Sequence, residues 1–150
     1  MQNEQAERLV QLLFQAAPPF RRNYIKPSPP EKIDGFPRIP HHHVFCLLIL
    51  KKSGRESMGV LAEKLGVSNQ QCTRIVDELE ENGLAARAAD EKNRRLVYVT
   101  PTEKGTQLLT VFYRHACEHI REQLGALPDE DVDELIAHLA GIIRILDKLG

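Results

Sequence analysis

The sequence predicts a mainly α-helical chain with one small β-hairpin. Three observations carry this. Apolar residues recur at helical spacing, most cleanly in Cys72, Ile75, Val76 and Leu79, at i, i+3, i+4 and i+7. Helix-start residues stand before the periodic segments, as in Ser57 and Ser68. Val97, Tyr98, Val99 and Thr100 are strong strand formers, and with Leu84–Ala88 they give two short strand candidates around a polar tip.

The first element is an apolar helix over roughly residues 4–22. Its Leu9, Val10, Leu12, Leu13, Phe14, Ala16, Ala17 and Phe20 are too many for a single stripe, so burial on more than one side is expected. Seven of the nine prolines then lie from Pro18 to Pro40. Proline lacks the amide donor and restricts its predecessor, so residues 27–40 read as a linker or ordered loop. Val44–Leu50 is a buried helix closed by Lys51, Lys52, Ser53 and Gly54. Ser57 caps a short helix that stops at Gly66. Ser68 and Gln71 stand three apart as a capping box opening the next helix, which Gly83 ends. Leu84–Ala88 and Leu96–Thr100 are two strands around the charged tip Ala89–Arg95. Thr100, Pro101 and Glu103 fit N-cap, N1 and N3 of a helix running to about Leu124. Pro128 and three acids open the last helix. Its Val132, Leu135, Ile136, Leu139, Ile142, Ile143 and Leu146 repeat with a period of seven, the pattern of a seam against another helix.

Composition excludes several classes. The 150 residues are 42% hydrophobic and 27% charged, enough for a packed core. The longest apolar run, Val44–Leu50, is far too short to cross a bilayer, and the first residues lack a signal-peptide pattern. No membrane partner is expected. Three cysteines without C-x-x-C spacing suit reduced thiols in a cytoplasm. The net charge of −1 means that any nucleic-acid binding must come from a local patch.

Helix, short turn, helix and hairpin in that order make a winged helix-turn-helix. Its second helix would carry base and phosphate contacts on Ser68, Asn69, Gln70, Gln71, Thr73 and Arg74, the side-chain types that hydrogen-bond base edges. Contacts concentrate at the N-terminal end of such a helix. The hairpin tip would bring Lys92, Arg94 and Arg95 to a minor groove or to phosphates. Each feature by itself also fits a solvated helix face or an ordinary polar turn; their ordered combination favours double-stranded DNA.

The segments Leu61–Ser68, Cys72–Leu84, Arg87, Asn93–Arg95 and Thr102–Gly105 resemble the MarR family of bacterial transcriptional regulators. The resemblance runs from about Val44 to Gly105. It implies a homodimer in which residues 1–26 and 101–150 supply dimerisation helices, through Leu9, Leu13, Val132, Leu135, Leu139, Ile142, Ile143 and Leu146. Residues 41–100 would form the DNA-binding domain, one per half of a pseudo-palindromic operator. It implies a regulator, a repressor more often than an activator, relieved by a small-molecule effector or by oxidation. It adds Arg87 to the candidate DNA-binding residues.

Two departures stand out. Asn93 replaces the aspartate that, in this family, orients an arginine at the position of Arg95. The proline-rich 27–40 segment is longer than usual and either lines an effector pocket or is a plain surface loop.

No cofactor is required by this reading. His115 and His119, four apart on one helix, have a spacing that chelates Zn²⁺, and His43 could supply a third donor. Zinc-responsive relatives use these two regions in other registers, so a metal is not expected, and His41–His43 read equally as a partly solvated helix start. Cys72 and Cys46 read as small core hydrophobes and Cys117 as a residue near the dimer region. An enzyme is not expected, since no H-E-x-x-H, P-loop or glycine-rich phosphate cradle occurs. A metal-responsive regulator and an interaction module without DNA binding remain as alternatives. The acidic 118–148 stretch suits the module, while Arg74, Arg87, Arg94 and Arg95 speak against it.

Overall fold

A computed structural model describes residues 3–22, 36, 39–90, 93 and 96–149. Six helices and three strands follow one another: α1 (Asn3–Arg22), α2 (His41–Ser53), β1 (Glu56–Ser57), α3 (Met58–Leu65), α4 (Asn69–Glu81), β2 (Ala85–Ala89), β3 (Val97–Pro101), α5 (Glu103–Leu124) and α6 (Asp129–Leu146). They group into two compact units, one of residues 28–116 and one of residues 1–27 with 117–150. The division falls inside α5, later in the chain than residue 100.

In the first unit the helix starts and stops follow the residues that signal them. Ser57 Oγ accepts the Val60 amide at 3.4 Å. At the end of α3, Gly66 takes φ +66°, and Val67 and Gly66 donate their amides to Ala62 and Glu63, a Schellman closure. Ser68 then caps α4 through the full reciprocal box with Gln71. Gly83, at φ +68°, ends α4 with the same closure, Leu84 N–H donating to Leu79 O at 2.8 Å. Helix α2 begins at His41, three residues before the apolar run, because Pro40 supplies an extended N-cap whose carbonyl accepts the His43 amide.

The sheet has three antiparallel strands in the order β1-β3-β2. Strand β1 is too short for any sequence pattern and exists because Glu56 and Ser57 pair with Val99 and Tyr98. Strand β3 runs through Thr100 to Pro101, which pairs with Ala85. The N-cap of α5 is therefore Thr102 rather than Thr100. Its Oγ1 accepts the Gly105 amide at 3.0 Å and donates to Gly83 O at 2.7 Å. Thr100 is committed to the ladder, and a strand residue cannot also cap.

The core joins Leu47 and Leu50 of α2, Leu61 of α3, Cys72, Val76 and Leu79 of α4, Val99 of β3 and Leu108, Leu109 and Phe112 of α5. Ile39 is part of it and Phe36 packs against it, so the end of the proline-rich segment is anchored. The rest of that segment lies outside the described residues. The second unit differs. Helix α6 buries none of its residues, and Leu9, Leu13 and Phe14 of α1 are exposed, as are Ile142, Ile143 and Leu146 of α6. Among the described residues, no helix is long and apolar enough to cross a membrane.

Helix α5 meets the start of β2 where only glycine fits. A Cβ on Gly105 would lie 2.1 Å from Leu84 O, an atom held by the Thr102 amide at 3.0 Å. Alanine gains about 1 kcal/mol of helix propensity, whereas overpacking against fixed backbone costs about 1–3 kcal/mol or more. Gly105→Ala should thus destabilise the winged-helix unit, seen as a lower urea midpoint at unchanged m-value; an unchanged midpoint would show that the backbone gives way freely.

Candidate DNA interface

Helix α4 has two unlike faces. Cys72, Ile75, Val76 and Leu79 are buried, while Asn69, Gln70, Gln71, Thr73 and Arg74 are exposed. Burial of the stripe decides the orientation of the polar face, because the two lie on opposite sides of one cylinder.

The polar residues are not equally available. The Ser68 hydroxyl accepts the Gln71 amide, and Gln71 Oε1 lies 3.2 Å from both the amide and the hydroxyl of Ser68. Both side chains are engaged in holding the helix start, leaving the Gln71 Nε2 donors. Thr73 donates its hydroxyl to Asn69 O at 2.9 Å and keeps its lone pairs. Asn69, Gln70 and Arg74 carry no side-chain hydrogen bond or ion pair among the described residues, and all three sit in the first two turns.

Arg87 behaves differently from the other cations. It sits on β2 opposite Val99 and turns its guanidinium onto α4. Nη1 donates to Asp77 Oδ1 at 2.6 Å and to Glu80 Oε2 at 2.5 Å, and Nη2 donates to Thr73 O at 3.2 Å. The other Glu80 oxygen accepts the Arg87 backbone amide at 2.7 Å. Burial pulls the Arg87 pKa down, but the hydrogen bond to Asp77 and the charges of Glu80 and Asp77 outweigh it, so the net direction is up. The geometry makes Arg87 a strut between the hairpin and α4, with both terminal nitrogens engaged. Sequence reasoning missed this role. Asp77 and Glu80 stand three apart on a helix, but only the strand register brings Arg87 over them.

At the hairpin end, Asp90 N–H donates to Leu96 O, and Asp90 Oδ1 accepts the Asn93 amide at 2.9 Å. Asn93 is thus built into the turn. Lys92, Arg94 and Arg95 lie outside the described residues. Lower on the sheet, Arg55 stacks over the Tyr98 ring at 4.6 Å, a contact that the sequence did not suggest.

A cleft of about 270 Å³ opens beside α4, walled by Pro40 and His43 of the α2 start and by Gln71, Arg74 and Glu78 of α4. His43 is 7% exposed, and its Nε2 lies 2.9 Å from Glu78 Oε2. Burial drives the His43 pKa below its ordinary value, against the opposing pull of Glu78. Among the described residues, no three metal-ligating side chains come together. His43 spends its Nε2 on Glu78, and His115 and His119 stand one turn apart on α5. Cys46 and Cys72 are fully buried, burial pushing the Cys46 thiol up to about 12 and raising that of Cys72, while Cys117 is exposed.

Residues 39–97 match the family model described as the MarR family. The uncharacterized HTH-type transcriptional regulator YkoM of Bacillus subtilis is 35% identical over 99 residues, which are 64% of this chain and 64% of that protein. The chain thus spans just under two thirds of the length of the curated relatives it matches first. The transcriptional regulator BldR from Sulfolobus solfataricus superimposes with a TM-score of 0.68 at 28% identity, over 96% of this chain and 99% of that one. FabT of Streptococcus pneumoniae, crystallised in complex with DNA, superimposes with a TM-score of 0.61 at 16% identity, over 99% and 100% of the chains, a likeness of fold alone.

The strut makes a stability prediction. Arg87→Met keeps the aliphatic stem but leaves Asp77 and Glu80 facing each other without a cation. With the Arg87 side chain 23% exposed, the loss should be about 1–3 kcal/mol. Urea unfolding measures it; curves superimposable on the wild type would remove Arg87 from the stability of this unit.

Proposed function

We propose that the chain, whose residues 39–97 match the MarR family model, is a dimeric, sequence-specific DNA-binding transcriptional regulator that acts as a repressor. The single observation that carries this is the free polar face in the first two turns of α4. Asn69, Gln70 and Arg74 are exposed there and unengaged among the described residues, while the opposite face is locked in the core. Arginine donates two parallel hydrogen bonds to guanine O6 and N7, and asparagine or glutamine pairs with adenine N6 and N7. An α-helix fits the major groove, and a hairpin beside it reaches the neighbouring minor groove or its phosphates. In this reading Arg87 works indirectly, setting the hairpin at a fixed place against α4. Lys92, Arg94 and Arg95 at the tip supply charge to the minor groove.

The exposed apolar side chains of α1 and α6 support the dimer. A helix that leaves Ile136, Ile142, Ile143 and Leu146 exposed and Val132, Leu135 and Leu139 only half-buried has burial still to be made, and a second copy of the same seam makes it in the manner of a coiled coil. A twofold dimer presents two α4 helices to a pseudo-palindromic operator. Relief of binding by a small ligand belongs to the same reading and has the family resemblance as its support.

The test is a gel shift on the region upstream of the protein's own gene, with Arg74→Ala beside the wild type. A bidentate base contact predicts a loss of about 1–3 kcal/mol on the operator and little on random DNA. A phosphate contact predicts an equal loss on both, and a salt slope smaller by about one unit. Equal operator affinity in wild type and variant would take Arg74 out of the interface. For assembly, sedimentation at micromolar concentration should show a dimer, and Leu139→Glu should shift it toward monomer. A wild-type monomer under those conditions would overturn the assembly proposed.

A further inference from the structure

Arg74 and Glu78 stand four residues apart on α4 and wall the same cleft. Side chains at that spacing are neighbours on a helix surface, and opposite charges there pair. They do not pair here. Glu78 Oε2 lies 2.9 Å from His43 Nε2, and Arg74 has no ion pair or hydrogen bond among the described residues. An ionised carboxylate only accepts, so Nε2 carries the proton and donates. His43 is itself enclosed. It is buried at the start of α2, its amide is bonded to Pro40 O at 3.0 Å, and its Nδ1 is enclosed without a partner among the described residues.

We infer that His43 is a positioning residue, which draws the Glu78 carboxylate toward α2 so that Arg74 of the recognition helix stays open to DNA. The inference rests on the DNA-binding reading of Arg74. Without the imidazole, Glu78 has one cation within reach on its own helix. Pairing with it would fold Arg74 back along α4 and leave a carboxylate where phosphates approach. Surface pairs of this kind shift equilibria by a few fold. Release of Glu78 should then weaken each half-site about threefold and a two-half-site duplex about tenfold. The device also explains an acid that a DNA-facing helix would otherwise do better without.

The test uses the full-length protein and a duplex from its own upstream region, with affinity read by fluorescence anisotropy and folding by urea unfolding. His43→Leu keeps buried bulk and removes the donor; it should bind about tenfold more weakly than wild type. Glu78→Gln should bind no more weakly than wild type. The double variant should return to the Glu78→Gln value, because the released group is no longer charged. His43→Gln, whose amide nitrogen reaches as far as Nε2, should stay close to wild type. If His43→Leu does not fold, His43→Asn, with an amide too short to reach Glu78, supplies the same comparison. A double variant as weak as His43→Leu would show that His43 acts through packing alone, and an unaffected His43→Leu would end the inference. Arg74→Ala in the same series separates the two readings. If it binds normally while the His43 variants are impaired, the role of Arg74 in DNA binding fails and the His43 effect has another origin. A crystal structure of His43→Leu checks the geometry without DNA: Glu78 within 4 Å of Arg74 is expected, and Glu78 still directed at α2 would overturn the proposal.

Discussion

The winged-helix unit depends on the burial of one stripe, Cys72, Ile75, Val76 and Leu79, in a core to which α2, α3, β3 and α5 also contribute. Each side chain of this size contributes about 1.5–3 kcal/mol when taken out of water. Together they outweigh any preference of the polar residues on the other side of α4. The helix cannot roll about its axis without bringing Asn69 or Arg74 into the core, so the outward face is decided by the inward one.

Rolling is only one freedom. Sliding along the axis is stopped at both ends by local chemistry: the Ser68–Gln71 box at the start and the closure at Gly83 at the finish. Lateral movement is resisted by polar contacts at both flanks. The Arg87 fork ties α4 to β2 through Asp77 and Glu80, and His43 ties it to α2 through Glu78. Three of the acids on α4 are thereby drawn off its outward face. Of the acids Asp77, Glu78, Glu80 and Glu81 on this helix, the first three are engaged at its flanks, and the polar residues left unengaged among the described residues gather in the first two turns.

The second unit follows a different economy. Helices α1 and α6 carry apolar residues at helical spacing yet leave Leu9, Leu13, Phe14, Ile142, Ile143 and Leu146 exposed within one chain. The winged helix closes its core from its own sequence, and these helices do not. The contrast separates a part that closes its own core from a part that leaves apolar side chains exposed within one chain.

The elements of the winged helix were legible in the sequence because each is written in local chemistry. The i, i+3, i+4, i+7 stripe, the Ser57 and Ser68 caps, and Gly66 and Gly83 act within a turn or two of themselves, and no distant residue is needed to interpret them. The exposure of Arg74 follows from the same periodicity. Tertiary structure alone decided three things. Strand β1 exists only through its partners Val99 and Tyr98. The start of α5 moved to Thr102 because β3 claimed Thr100. The engagement of Arg87 and Glu78 depends on groups 7 to 10 and 35 residues away along the chain. A charged side chain carries no sequence mark of whether its partner will be DNA, water or a carboxylate, since ion pairs are made by proximity in space and not by periodicity along the chain.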